Sequence, residues 1–240
     1  MQRDAPLTTD ETYHIYNRGA HKSAIFKSSR DYVRFQLLLF LCNGKKPIVV
    51  RDVLAKYKDR YSVKIFEHEP IEKTRLVSVL AYCLMPNHFH LVLRQEIDNG
   101  ITTFMRKVGV AYSMHFNTKY DHSGVLFQGR YKSSHIDDES YFRYIFAYVH
   151  LNPIELIEPE WKERGIHHPR KVQDFLNTYS YASFYDYSVQ KRPESNILAR
   201  DAAPDFLSTQ NDLTELLEER VRYVEKEGGG AEGNTEIGSL

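Results

Sequence analysis

A strand-like apolar run from Val77 to Leu93, interrupted at Pro86-Asn87, constrains the fold of this chain more than any other stretch. Its two halves, Val77 to Leu84 and His88 to Arg94, read as strands, and the proline between them removes a ladder donor, so the chain must bend or bulge there. Side chains on a strand alternate between faces. His88 and His90 therefore project from one face while Phe89 points to the other, into the core. Two imidazoles on one face can grip a single metal ion, which makes this half of a metal site.

Around this run the chain punctuates itself into short elements. Thr12 to Asn17 is β-branched and aromatic and reads as a strand closed by Arg18-Gly19. A helix is expected from Ser29 to Leu41, with Val33, Leu37, Phe40 and Leu41 at helical spacing and Asn43-Gly44 as its stop. Between Lys45 and Pro70 the pattern supports only a short helix around Val53 to Tyr57 and a strand around Ser62 to Phe66. Asp98-Asn99-Gly100 offers capping side chains to a helix running to about Thr118, and Gly124 to Ile136 reads as a further strand. Asp137-Asp138 caps a helix from Glu139 to Leu151, which ends before Pro153. This order predicts an α+β fold, an antiparallel sheet with helices packed on one face.

We expect residues 1–168 to form one catalytic domain and residues 169–240 a C-terminal extension, dispensable for the core fold and active in modulating DNA binding. Asp212 to Lys226 is an amphipathic helix candidate, and Gly228-Gly229-Gly230 opens a flexible, acidic end. The first residues lack the apolar stretch of a secretory signal and no run is long enough to span a bilayer, which points to the cytoplasm and no membrane partner. Cys42 and Cys83 each sit in an apolar run, as buried reduced thiols do.

The formal net charge is zero but unevenly distributed. Residues 43–75 hold nine Lys and Arg against five Asp and Glu, a net of +4, and residues 102–135 hold five against one, again +4. Residues 201–240 hold three against ten, a net of −7. An acidic end thus masks a basic body of the kind that tracks a phosphate backbone.

The second chemistry-bearing element is Tyr148-Val149-His150-Leu151-Asn152-Pro153. Tyr148 and Asn152 are four apart and share a helical face. By spacing alone Tyr148 belongs to an aromatic stripe with Tyr141, Tyr144 and Ile145, and Asn152-Pro153 is a common helix-ending dipeptide. Set beside two histidines on a strand, they acquire a joint use. Two neutral imidazoles and one amide oxygen leave positions open on a Mg²⁺ or Mn²⁺ ion for phosphate oxygens, and a phenol can attack the phosphorus in line.

His88-Phe89-His90 within Met85 to Leu93, followed by Tyr148-x-x-x-Asn152-Pro153, resembles the single-tyrosine HUH transposases of small bacterial insertion sequences, including the REP-associated tyrosine transposases. Tyr13-His14-Ile15-Tyr16-Asn17-Arg18-Gly19 and Gly124 to Tyr131 fit as well, so the resemblance covers roughly residues 12 to 155. It implies a ferredoxin-like or RRM-like core and an enzyme that cuts hairpin-containing single-stranded DNA through a 5′-phosphotyrosine, leaves a free 3′-hydroxyl, and rejoins the strand. It implies His88, His90 and Asn152 as metal ligands and Tyr148 as nucleophile, in a nucleoid-associated bacterial protein. Family dimers assemble each site from two chains whereas REP-associated members act as monomers, and both arrangements are open here.

Arg106, Lys107, Phe127, Arg130, Tyr131 and Lys132 interleave bases and aromatics, as a groove that binds single-stranded DNA would. Tyr112 is a second candidate nucleophile. The remaining histidines, His14 and His150 among them, read as surface or packing residues. Two rival functions use the same residues: a hydrolytic metallonuclease in which water attacks and Tyr148 only packs, and a non-catalytic nucleic-acid-binding module on an RRM-like scaffold.

Overall fold

The computed structural model describes residues 6–57, 61–69, 74–189, 191–204 and 213–226. Gly228-Gly229-Gly230 and the acidic residues around them lie outside that set. In chain order the elements are β1 (Thr12–Arg18), α1 (Ser29–Leu41), α2 (Val50–Ala55), α3 (Lys64–His68), β2 (Val77–Met85), β3 (His88–Gln95), α4 (Gly100–Tyr120), β4 (Lys132–Ile136), α5 (Glu139–Leu151), α6 (Trp161–Arg164), α7 (Pro169–Thr178), α8 (Phe184–Ser188) and α9 (Leu213–Lys226). No helix among the described residues is long and apolar enough to cross a membrane.

The four strands form one antiparallel sheet in the order β2-β3-β1-β4. With a helical connection before β2 and another before β4, this is the α+β arrangement that the element order predicted, in the ferredoxin-like form that the resemblance implied. Strand alternation sorts the core into two layers. Tyr13, Ile15, Phe89, Leu91 and Leu93 face α1 and α4, where Phe35, Leu38, Phe104 and Tyr112 complete one layer. Cys83, Met85 and Val92 face the other way and pack against Ile145, Phe146 and Tyr148 of α5. Helices thus cover both faces rather than one.

Asp138 caps α5 by accepting from the Tyr141 amide at 2.9 Å. Ile145 to Leu151 is buried without a break, because α9 lies over the side of α5 that the sheet does not cover. Tyr223 stacks on Tyr144 with ring centroids 4.4 Å apart, and Leu216 is buried in the same layer. The chain after Pro169 also closes the open edge of β2, where Ala199, Ser183 and Leu84 form backbone bonds at 2.9, 2.9 and 3.0 Å to Val79, Tyr82 and Tyr181. An edge strand covered in this way has no free ladder to offer another chain.

Four local expectations are corrected. Ser62 to Phe66 is not a strand: α3 turns Ile65 and Phe66 together into the core, and such adjacent burial suits a helical turn rather than strand alternation. The strand expected over Gly124 to Ile136 begins only at Lys132. Before it, Gly124 takes a φ of +107°, and the backbone is pinned to the end of β1 through Ala20 N to Leu126 O and Gln128 N to Arg18 O. Asn99 adopts the left-handed conformation at the start of α4 without a side-chain cap, and Gln95 Oε1 instead accepts from Ile101 N at 3.2 Å. The short helix α2 lies at Val50–Ala55, a few residues before its expected place. Cys42 and Cys83 are free, buried thiols.

At the end of β1, Gly19 donates its amide to Asn87 O at 2.8 Å. A Cβ at Gly19 would stand 2.1 Å from Ser23 O, so glycine is required for the turn that braces the β2–β3 hairpin just before His88.

Candidate active site

The β3 register sets His88 opposite Arg18 and His90 opposite Tyr16 on β1, all on the face turned toward α5. From α5, Tyr148 reaches this face with its ring 5.2 Å from His90 and nearly perpendicular to it. Asn152, at the helix end, puts its Oδ1 3.2 Å from His88 Nε2. All four predicted residues, His88, His90, Tyr148 and Asn152, therefore meet within one chain.

Second contacts fix each imidazole. His88 Nδ1 lies 2.7 Å from Asn87 Oδ1, and His90 Nδ1 lies 2.9 Å from His14 Nε2. His14 is completely buried, its ring stacked on His90 at 5.1 Å and on Tyr16 at 5.0 Å. By its sequence context His14 reads as a surface or packing residue; the structure makes it the partner of a site histidine. Its β1 neighbours gave the one available signal, since alternation from Tyr13 and Ile15 places His14 on the opposite, histidine-bearing face.

Burial lowers the pKa of every histidine here, to about 4 for His88 and about 3 for His14, with His90 held well below the ordinary value. At His88 the Asn152 bond opposes this effect while the charges of Arg18 and Lys162 add to it. The imidazoles are neutral at physiological pH. Burial raises the Tyr148 pKa, the neighbouring Tyr144 adds to the rise, and a hydrogen bond from the Asn152 amide counters it. The amide oxygen of Asn152 faces His88. A neutral His88 then meets amide oxygens at both ring nitrogens but has one proton to share between them.

This arrangement fits a divalent ion. With the His88 proton on Nδ1 toward Asn87, its Nε2 lone pair and Asn152 Oδ1 point at one another as two ligands of a shared cation would. His90 Nε2 is buried with no hydrogen-bond partner among the described residues, and a proton on His90 Nδ1 shared with His14 leaves that atom free to ligate. Ring N–H groups held by carbonyl or imidazole acceptors are the usual support of metal-ligating histidines. Among the described residues no three His, Cys, Asp or Glu side chains are placed to hold one metal ion together, so an ion here would keep several positions for water or phosphate oxygens, as Mg²⁺ and Mn²⁺ do.

The six residues proposed for DNA contact do not form one surface. Lys132 lies across from Tyr16 on the histidine side of the sheet, and Arg130 is exposed just before it. Arg106 and Lys107 stand on α4, in the opposite layer, where Lys107 donates to the carbonyls of Gly44 and Lys46. Phe127 and Tyr131 pack against the α1–α4 core, and Tyr131 Oη lies 3.4 Å from Thr102 Oγ1. Tyr112 is buried in that same layer and donates to Ile25 O at 2.6 Å, remote from the histidine face. His150 is buried beside Ser183 Oγ at 2.7 Å, in accord with a packing role.

One further residue was missed. Lys162 of α6 places Nζ 5.6 Å from the centre of the Tyr148 ring and pairs with Glu155 at 3.2 Å. No periodicity links position 162 to the site, because a 3-10 turn over Asn152–Leu156 and a short loop bring it back.

No curated protein matches this chain. A solved structure described as "Structure of the REP associates tyrosine transposase bound to a REP hairpin" is similar at 15% identity, over 78% of this chain and 84% of that one, with a TM-score of 0.44. The family model described as "Transposase IS200 like" matches residues 41–152. That segment, with both site histidines, Tyr148 and Asn152 in it, is similar to the IS200-like transposases, as the histidine pair and the tyrosine helix led us to expect.

Proposed function

We propose that this protein nicks and rejoins hairpin-containing single-stranded DNA through a covalent bond to Tyr148, with Mg²⁺ or Mn²⁺ as cofactor. The observation that carries this reading is the meeting of Tyr148, His88, His90 and Asn152 on one face of the sheet, with Asn152 Oδ1 3.2 Å from His88 Nε2 and the Tyr148 ring 5.2 Å from His90. A candidate nucleophile and a candidate ligand set thereby share one site.

Tyr148 Oη attacks the scissile phosphorus, the P–O3′ bond breaks, and the strand is left with a 3′-hydroxyl and a 5′-phosphotyrosine. The phenolic proton leaves during the attack and the departing O3′ gains one. Because the phosphodiester is exchanged for an aryl ester, a 3′-hydroxyl can later reverse the reaction without an external energy source. His88 Nε2, His90 Nε2 and Asn152 Oδ1 would hold the ion, which when bound supplies Lewis-acid polarisation of the phosphate. Asn152 fixes the direction of Tyr148, His14 and Asn87 fix the imidazoles, and burial of the phenol favours tyrosine over water as nucleophile. Lys132 and Arg130, on and beside the histidine side of the sheet, are proposed to receive the DNA backbone.

The test is denaturing electrophoresis of end-labelled hairpin DNA with the full chain and with Tyr148→Phe, in Mn²⁺ and in EDTA. A protease-sensitive, metal-dependent adduct that disappears in Tyr148→Phe supports the reading. Cleavage that persists in Tyr148→Phe means that water attacks. EDTA-resistant binding without any product over a broad hairpin set means a binding module.

A further inference from the structure

We propose that Lys162 is a catalytic residue of this site, its ammonium donating to a non-bridging oxygen of the phosphate that Tyr148 attacks. The proposal rests on the reading above. Lys162 lies ten residues beyond the end of the matched segment at Asn152, and the loop that returns it is held firmly. Trp161 is only 2% exposed and anchors α6 in the layer beneath α5. Glu158 N bonds to Ile154 O at 2.8 Å, and the Glu158 carboxylate accepts the His167 and His168 amides at 2.8 and 3.0 Å. The backbone on both sides of Lys162 is therefore fixed.

From that anchor the lysine side chain, 18% exposed, runs over the Tyr148 ring, and its Nζ reaches 5.6 Å from the ring centre. Its charge also reaches His88 and His90. The ligand set is neutral, two imidazoles and one amide, whereas the phosphorus under attack gathers negative charge on its equatorial oxygens. A partly buried lysine beside the nucleophile answers that need from the protein itself. Glu155, at 3.2 Å, holds the ammonium when no phosphate is present. Its side chain is more exposed than that of Lys162, so it can turn to solvent when phosphate takes its place.

The experiment measures single-turnover adduct formation and hairpin affinity for the full chain, Lys162→Gln and Lys162→Arg, with Rp and Sp phosphorothioates at the scissile position and a thermal melt of each variant. The wild type must form the adduct; if it does not, the function proposed above fails before Lys162 is in question. Given an adduct, Lys162→Gln is expected to slow its formation about 100-fold, the loss typical of removing one charge-stabilising donor, with affinity changed less than about threefold. In the wild type one thio isomer is expected to react more slowly than the other, and Lys162→Gln is expected to erase that preference. A rate within twofold of wild type, an equal loss in rate and affinity, or an unchanged isomer preference overturns the proposal. Should Lys162→Gln melt too low to assay, Lys162→Arg decides: it retains the charge and must retain the isomer preference.

Discussion

Replacing His14 by Phe tests whether the buried histidine pair prepares the site or merely fills space. Phe keeps an aromatic ring between Tyr16 and His90 and removes the acceptor that His14 Nε2 offers to His90 Nδ1 at 2.9 Å. The His90 N–H is then buried without a partner, which costs about 1–3 kcal/mol. His90 relieves that cost by turning its ring, which removes the Nε2 lone pair from the metal position. Loss of such a supporting contact lowers metal affinity about 10- to 100-fold, or about 1.4–2.8 kcal/mol. Isothermal titration of the full chain with Mn²⁺ reads this directly, without DNA and without turnover. His14→Gln provides the control, because its side-chain oxygen can accept from the same N–H and should restore most of the affinity. If His14→Phe binds Mn²⁺ as tightly as the wild type at an unchanged melting temperature, His14 does not position His90 and the ligand assignment of His90 Nε2 loses its support.

Ending the chain at residue 168 is expected to give an unfolded or insoluble product, contrary to the expectation from sequence that the later residues are dispensable. Val172, Leu176, Phe184, Ile197, Leu198 and Leu216 are buried, and at roughly 1.5–3 kcal/mol each they contribute on the order of 10 kcal/mol, comparable to the whole stability of a domain. A soluble 1–168 fragment with a cooperative melt would refute this. Asp31 makes a second, pH-dependent prediction. Burial raises its pKa, but hydrogen bonds from Lys119, Tyr120 and the Lys27 amide outweigh burial and hold the carboxyl below its ordinary value. A depressed folded pKa stabilises the protein above the unfolded carboxyl value of about 3.9 and ceases to do so as pH falls through the folded value. Asp31→Asn should therefore cost about 2 kcal/mol at pH 7 and flatten the acid limb of a melting-temperature profile. An acid limb identical to that of the wild type would show that Asp31 is not coupled to stability.

The fold and the site were legible in the sequence wherever a local period carries the information. Strand alternation sets His88 and His90 on one face and helical spacing stacks Tyr148 over Asn152, and the resemblance to single-tyrosine transposases joined these two pairs into one candidate site before any contact was known. Short segments defeated the same reasoning. Val63-Lys64-Ile65-Phe66 is too brief for its apolar residues to distinguish a strand from a helical turn, and the aromatic content of Gly124 to Tyr131 outweighed the glycines that break it. The supporting residues were hidden for a different reason. His14 meets His90 across 76 positions, and Lys162 returns to Tyr148 through a loop with no period. The segment after Pro169 reads as an appendage because its burial partners are β2 and α5, far behind it in the chain. The sequence by itself determined which side chains each element presents, because φ/ψ geometry fixes the period of a strand or helix. Only the tertiary structure decided which of them meet, because packing two layers onto one sheet depends on surfaces that no local window contains.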